Sequence, residues 1–314
     1  GNWEVGVHIA DVSWYVKPES GIDKEAFDRG TSVYLVDRTI PMLPEKLSNN
    51  VCSLKPKEDK LCFSAVFQLD DNAHILEEWF GKTIINSDRR FNYEEVQKMI
   101  EGADGDFKSE IMILHELASK LRKDRFGKGS IDFRSEEVKF RLDDKGKPID
   151  TFIKENKESN WLIEDFMLLA NRRVAEKIGV VRGKTKPKTF VYRIHDKPST
   201  EKLQNFIEFL GKLGYSLRTN SRKTLAQSFN QLFKDIEGKG EENMIESIAI
   251  RTMAKAKYST KNIGHYGLGF DFYSHFTSPI RRYPDLMAHR LLFEYLKGAP
   301  GVDEETYEEK CVHS

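Results

Sequence analysis

Hydrophobic positions alternate at the start of the chain. Trp3, Val5, Val7 and Ile9 fall on one face of an extended segment, with His8 and Ala10 on the other, which predicts a strand within residues 3–16. A strand needs neighbours, and residues 31–36 and 61–69 are apolar and β-branched enough to supply them. Asp70-Asp71-Asn72 reads as a turn into a further strand over 75–85. The region up to residue 90 is therefore expected to be rich in sheet.

The period then changes. Apolar residues recur at helical spacing over 93–101 and 108–125, where Ile111, Leu114, Ala118 and Leu121 share a face. A hairpin is expected over 137–153, turning at Asp143-Asp144-Lys145-Gly146-Lys147. Ser159 or Asn160 can cap a long helix that runs to Ile178 and stops at Gly179. Further helices are expected near 200–213, 225–238 and 243–256, and a last one after Pro284. No Pro/Gly/Ser-rich linker and no internal repeat divides the chain, so the expected fold class is one continuous α+β domain; a helical insertion between 90 and 250 gives the same pattern.

Composition changes this picture only locally. Lys plus Arg and Asp plus Glu number 50 each, so the net charge is zero and the global balance does not point to nucleic acid. Residues 172–197, however, hold nine Lys or Arg against two acids. Such a run can follow a phosphate backbone, with Phe190 and Tyr192 as stacking surfaces, or it can be a solvated helix end and loop. The three Cys match neither a disulfide framework nor a zinc spacing, which favours a reducing, cytoplasmic compartment. No apolar run reaches the roughly 18 residues of a membrane span. The chain has no initiator Met and starts inside a strand, so it is expected to be a fragment.

Several segments carry candidate chemistry. Gly183-Lys184-Thr185 is not a nucleotide-binding loop, because Ile178 stands where that loop requires its first Gly. In Ser278-Pro279-Ile280-Arg281-Arg282-Tyr283-Pro284-Asp285, two prolines stiffen a short element that presents two guanidinium groups just before a helix. Both can grip a phosphate, or one can pair with Asp285 and brace the fold. Asn160, Glu164 and Asn171 lie within roughly 40° of one another around the long helix, a polar line that has to meet water, a partner or a ligand. His8, His195, His265, His275 and His289 show no ligand spacing and read as hydrogen-bonding residues.

These segments also carry a resemblance. Val7-His8-Ile9-Ala10-Asp11-Val12-Ser13, Arg29 to Leu35, Ile40 to Asn49, Leu162 to Asn171, Tyr192-Arg193-Ile194-His195-Asp196 and His275 to Asp285, in that order, resemble the RNB catalytic domain of the ribonuclease II and ribonuclease R family, the bacterial ribonuclease R branch most of all. The resemblance implies twisted sheets packed by helices around an RNA channel. It also implies a processive, hydrolytic, 3′-to-5′ exoribonuclease that uses Mg2+ to degrade single-stranded RNA to nucleoside 5′-monophosphates. By motif position, Arg281 is the catalytic contact to the scissile phosphate and Arg282 supports it. Tyr93 and Phe133 match the two sides of an aromatic clamp, and Glu164 matches the acid beside the 3′ nucleotides.

The chain departs from the family pattern in three places. The family's run of metal-binding Asp residues is expected upstream of residue 1, and its catalytic Glu beyond Ser314, so residues 1–314 are expected to form an incomplete RNB domain, inactive alone and holding no Mg2+ stably. Asn160 stands where relatives often have His. The family's flanking OB-fold domains, which would engage structured RNA, are expected to lie outside residues 1–314. A monomer is expected. The competing reading is an RNA-binding or regulatory protein on a non-catalytic RNB-like scaffold.

Overall fold

In the computed structural model, which describes residues 1–133, 137–181 and 186–314, the opening alternation forms strand β1 (Asn2–Ala10). Its neighbour is the long strand β4 (Asp59–Asp70), and β5 (Ile75–Asn86) completes an antiparallel sheet of order β1-β4-β5. The register sets Trp3, Val5, Val7 and Ile9 opposite Leu69, Phe67, Ala65 and Phe63, all four of them at 0% exposure. Directly opposed residues share a face, so the alternation predicted from sequence is the inner face of the sheet.

The first strand, expected within residues 3–16, ends at Ala10, because the Asp11 carboxylate accepts the Ser13 hydroxyl at 2.5 Å and pairs with Lys82 at 2.8 Å, turning the chain into α1 (Val12–Tyr15). One expectation for this region is corrected. Residues 31–36 do not join the main sheet. Only β2 (Val33–Tyr34) forms there, paired with β3 (Thr39–Ile40) in a separate ladder. The reason lies just upstream, in α2 (Gly21–Arg29), a helix whose alternation-free, charged sequence gave little signal. Ser20 caps it through the Asp23 N–H, and Gly30, at φ 67°, closes it and diverts the chain.

The predicted helices α3 (Tyr93–Ile100) and α4 (Lys108–Gly127) and the hairpin β6 (Glu137–Leu142) with β7 (Pro148–Lys154) follow. The long helix α5 (Glu158–Gly179) begins one turn earlier than Asn160 suggests, and the Asn160 side chain accepts the Lys157 N–H at 3.1 Å. Beyond it, β8 (Tyr192–Ile194) pairs across a long excursion with β9 (Lys257–Ser259). That excursion holds α6 (Thr200–Lys212), α7 (Arg222–Ile236) and α8 (Glu242–Thr252). The three helices build their own apolar cluster around Phe206, Leu210, Phe229 and Ile236, joined to the rest through Ile131 and Phe133. The α8 helix stops short of residue 256 because the chain must extend into β9. Helix α9 (Tyr283–Leu296) is buried in the principal core with the sheet and α5, and α10 (Glu304–His313) closes the chain.

Helix α5 ends at Gly179, as its type suggested, and the glycine also permits close approach. A Cβ there would stand 2.5 Å from two atoms of the Phe272 ring and 2.8 Å from the Tyr192 hydroxyl. Gly179→Ala is therefore expected to lower stability by about 1–3 kcal/mol through overpacking, read from urea denaturation; an unchanged midpoint would show that the two rings yield freely.

Three imidazoles lie in the interior beside α9 and the segment before it. His289 donates from Nε2 to the Phe276 carbonyl at 2.7 Å with its ring stacked on that of Phe276, and His275 bonds the Tyr258 hydroxyl at 2.7 Å. Burial pushes the pKa values of His289, His265 and His275 down to about 4, 3 and 2. Lowered native values mean that the unfolded chain takes up the protons first, so stability is complete above pH 6.5 and falls as pH drops below it, by about 1.4 kcal/mol per imidazole per pH unit. Asp165, which burial raises to about 6, and Asp285, which burial also raises, act in the opposite sense, but the lowered imidazoles, His8 and His195 among them, outnumber these two carboxyls. The urea midpoint should fall between pH 7.5 and 5.5, and a flat profile would contradict buried neutral imidazoles.

Candidate nucleic-acid interface

The two neighbouring arginines of the proline-flanked segment have different fates. Asp285, in the first turn of α9, is at 0% exposure. It accepts two parallel bonds from Arg282, Nε at 2.7 Å and Nη2 at 2.8 Å, and a third from the Ser278 N–H at 2.7 Å. Burial pushes the Asp285 carboxyl up while Arg282 pulls it down, and the forked geometry is that of an ion pair. Burial likewise disfavours the Arg282 charge, but Asp285 outweighs it and holds the guanidinium above its ordinary pKa. Arg281 is exposed and, among the described residues, forms no ion pair; its guanidinium hydrogen-bonds the Ser278 hydroxyl at 3.2 Å. Arg282 thus braces the turn, and Arg281 is the guanidinium left open to an anion.

Main-chain contacts fix where Arg281 stands. Its carbonyl accepts the Ser32 N–H at 3.0 Å and the Thr31 hydroxyl at 2.8 Å, and the Tyr283 N–H reaches the Gly30 carbonyl at 2.9 Å. The diversion at Gly30 therefore serves this contact. Ser32 in turn accepts the Met42 N–H at 2.8 Å, which ties the 40–49 segment to the same place. From the other side, Asn171 of α5 accepts the Phe276 N–H at 2.8 Å and donates to the Tyr273 hydroxyl at 3.2 Å. Ser274 donates to the Val191 carbonyl at 2.6 Å, and the Arg193 N–H to that of Tyr273 at 2.9 Å. Motifs separated by as many as 250 residues meet on the strand of chain from 273 to 285.

The remaining predicted residues occupy two further places. Glu164 lies half-exposed on α5, where Arg125 Nη2 bridges it at 3.2 Å to the buried Asp165 at 3.0 Å. Arg122, held over the Trp161 ring, approaches Glu164 at 3.7 Å and Asp132 at 3.6 Å, which brings Glu164 and the segment carrying Phe133 together. The polar line on α5 is thus answered within the protein: Asn160 at the cap, Glu164 by arginines, Asn171 by the loop. The Phe133 ring packs on Phe229 and Phe233, with centroids 6.4 and 5.8 Å away. Tyr93, first residue of α3, is 49% exposed and lines two cavities of about 820 and 550 Å³; Phe133 lines neither. In the larger cavity Tyr93 is joined by Phe152 and by Lys98 and Lys157.

The basic run is reinterpreted. Phe190 and Tyr192 are not stacking surfaces, because both are buried, at 0% and 4% exposure, in the principal core. Arg173 pairs with Glu78 at 2.7 Å and Lys188 donates to the Ala299 carbonyl at 2.5 Å, so these charges brace the fold. Gly183-Lys184-Thr185 lies outside the described residues. Sequence reasoning missed Arg122 and Arg125, whose spacing on one helix face opposite Glu164-Asp165 was the available signal. Among the described residues no group of three His, Cys, Asp or Glu could hold a metal, and Asp11, Asp165 and Asp285 are each committed to a cation. These residues do not fit a Mg2+ site. No described helix is long and apolar enough to cross a membrane.

Comparison with known proteins identifies relatives of the chain. The model of the RNB domain matches residues 1–298. DIS3-like exonuclease 2 of Schizosaccharomyces pombe is 40% identical over 340 residues, covering 100% of this chain and 36% of that protein. Ribonuclease R 1 of Lactococcus lactis is 39% identical over 307 residues, covering 95% of this chain and 37% of that protein. The chain therefore spans well under half the length of these relatives. Mycoplasma genitalium RNase R, solved in complex with ribose-methylated single-stranded RNA, superposes with a TM-score of 0.86 at 28% identity, over 99% of this chain and 51% of that one. The α+β fold, the order of its motifs and these matches show that the chain belongs to the RNB domain family.

Proposed function

We propose that the protein containing this chain is a processive 3′-to-5′ exoribonuclease that hydrolyses single-stranded RNA to nucleoside 5′-monophosphates, and that Arg281 contacts the scissile phosphate. The observation that carries this reading is the uncommitted Arg281 guanidinium on a turn held by a buried, fully bonded Asp285. A preorganised cation aimed at a phosphate stabilises charge that grows on its oxygens in the transition state. The family supports the substrate class, since its relatives include an exonuclease of Schizosaccharomyces pombe and an RNase R solved with single-stranded RNA. Tyr93, exposed over a cavity that also holds Phe152, offers a face on which any base can stack, so grip comes without sequence preference. In this reading Phe133 and Glu164 adjoin the 3′ nucleotides through the Arg122 cluster, the protein acts as a cytoplasmic monomer, and structured RNA is a further substrate. The described residues gather no ligand set for Mg2+, so no step is derived through a metal.

Hydrolysis of a 5′-labelled single-stranded RNA by the whole protein, with Mg2+, tests the assignment. Arg281→Ala should lower kcat by about 10²- to 10³-fold with a much smaller change in RNA affinity. Arg282→Ala should instead destabilise the fold by about 3–5 kcal/mol, since it leaves a buried carboxylate unpaired. RNA binding with no release of mononucleotides by the unaltered protein would overturn the enzyme reading in favour of a non-catalytic binder.

Tyr93→Ala should leave hydrolysis in place while changing the length of the final undegraded oligonucleotide. An unchanged product ladder on a denaturing gel would remove Tyr93 from the substrate path.

A further inference from the structure

Most partly buried arginines in this chain are paired. Arg89, Arg122, Arg172, Arg173, Arg282 and Arg290 each meet a carboxylate within 4.0 Å. Arg193 is the exception among the described residues: half-buried, with neither an ion-pair partner nor a hydrogen-bond acceptor for its guanidinium. None of its nitrogens is sealed from water without a partner, so the group is open to a ligand. A guanidinium withdrawn partly from water and left unpaired costs stability, and such a group is retained where an incoming anion completes it.

The surroundings say where that anion lies. The Arg193 guanidinium rests over the Tyr258 ring at 4.6 Å, on the paired strands β8 and β9, in which Arg193 stands opposite Tyr258. Tyr258 Oη bonds His275 Nδ1 at 2.7 Å, and His275 lies three residues before Ser278, whose hydroxyl receives Arg281. The Arg193 N–H is itself bonded to the Tyr273 carbonyl at 2.9 Å. The charges of Arg282, Arg193 and Arg281 all act on His275, adding to the burial that keeps it neutral, so all three gather about one imidazole. Of the three, Arg282 is taken by Asp285.

We infer that Arg193 is a second phosphodiester-binding guanidinium beside Arg281, held flat on Tyr258 and contacting the RNA backbone. The inference rests on the reading of Arg281 as a phosphate contact and extends it to a substrate-binding residue outside the proline-flanked turn. The planar fork suits an anionic phosphate, and the aromatic shelf limits the rotamer freedom lost on binding. Arg193 sits on a strand, so its position does not depend on loop closure.

The test is binding of a fluorescein-labelled, unstructured single-stranded RNA in EDTA, followed by anisotropy over a series of KCl concentrations. Arg193→Met keeps the aliphatic reach along Tyr258 and removes the charge. It should weaken binding about tenfold at low salt and flatten the log–log salt dependence by about 0.7, the loss of one phosphate contact to a single strand. Arg193→Lys should restore the slope and part of the affinity. Unchanged affinity and slope for Arg193→Met, with or without a lower melting temperature, would overturn the inference and leave Arg193 a packing residue. Should Arg281→Ala abolish hydrolysis while Arg193→Met leaves binding unchanged, only this inference fails. Should Arg193→Met flatten the slope while Arg281→Ala hydrolyses RNA normally, the Arg193 contact stands and the role given to Arg281 falls.

Discussion

A carboxylate that water cannot reach must be fully bonded, and Asp285 is the one on which the site depends. Its two oxygens take three donors, two from Arg282 and one from the Ser278 N–H. That satisfies the charge and, in the same act, closes the turn between the two prolines. Because Arg282 is consumed by this bond, its neighbour Arg281 is left outward and single. One buried ion pair therefore separates a structural arginine from a ligand-facing one at adjacent positions.

The turn is held from outside as well. Residues 30–32 bond the backbone of 281–283, Asn171 bonds the segment ahead of it, and β8 borders it through Val191 and Arg193. These are main-chain and amide contacts, which tolerate little movement and carry no net charge. Beneath them lie neutral imidazoles and the edge-on rings of Phe63 and Phe276. The guanidinium groups at the surface are thus mounted on a largely apolar base whose buried carboxylate, Asp285, is paired.

A chain of zero net charge can still bind a polyanion, provided that its cations are not all spent internally. Several of the partly buried ones are spent here: Arg122 and Arg125 on Glu164 and Asp165, Arg173 on Glu78, Arg290 on Asp23. In the run with the highest density of positive charge, Arg173 and Lys188 brace α5 and the chain after it. Arg193 lies within that same run and Arg281 outside it, and neither forms an ion pair among the described residues. Their significance lies in being uncompensated rather than in being numerous.

The sequence by itself determined the inner face of the first strand, the long sheet hairpin, the helical period from α3 to α7 and the identity of the motif segments. Those features are local, set by alternation, by 3.6-residue recurrence and by capping residues, so a linear reading reaches them. It also posed the right question about Arg281 and Arg282 without being able to choose between them. The choice needed Asp285 buried and Ser278 within reach, which are facts of packing. Tertiary structure alone revealed that Phe190 and Tyr192 face the core, that Gly179 makes room for Phe272, that residues 31–32 anchor a turn near the other end of the chain, and that Arg193 has no ion-pair partner among the described residues. Each of these depends on which groups far apart in the chain become neighbours, and pairing of that kind leaves no periodic trace in the order of the residues.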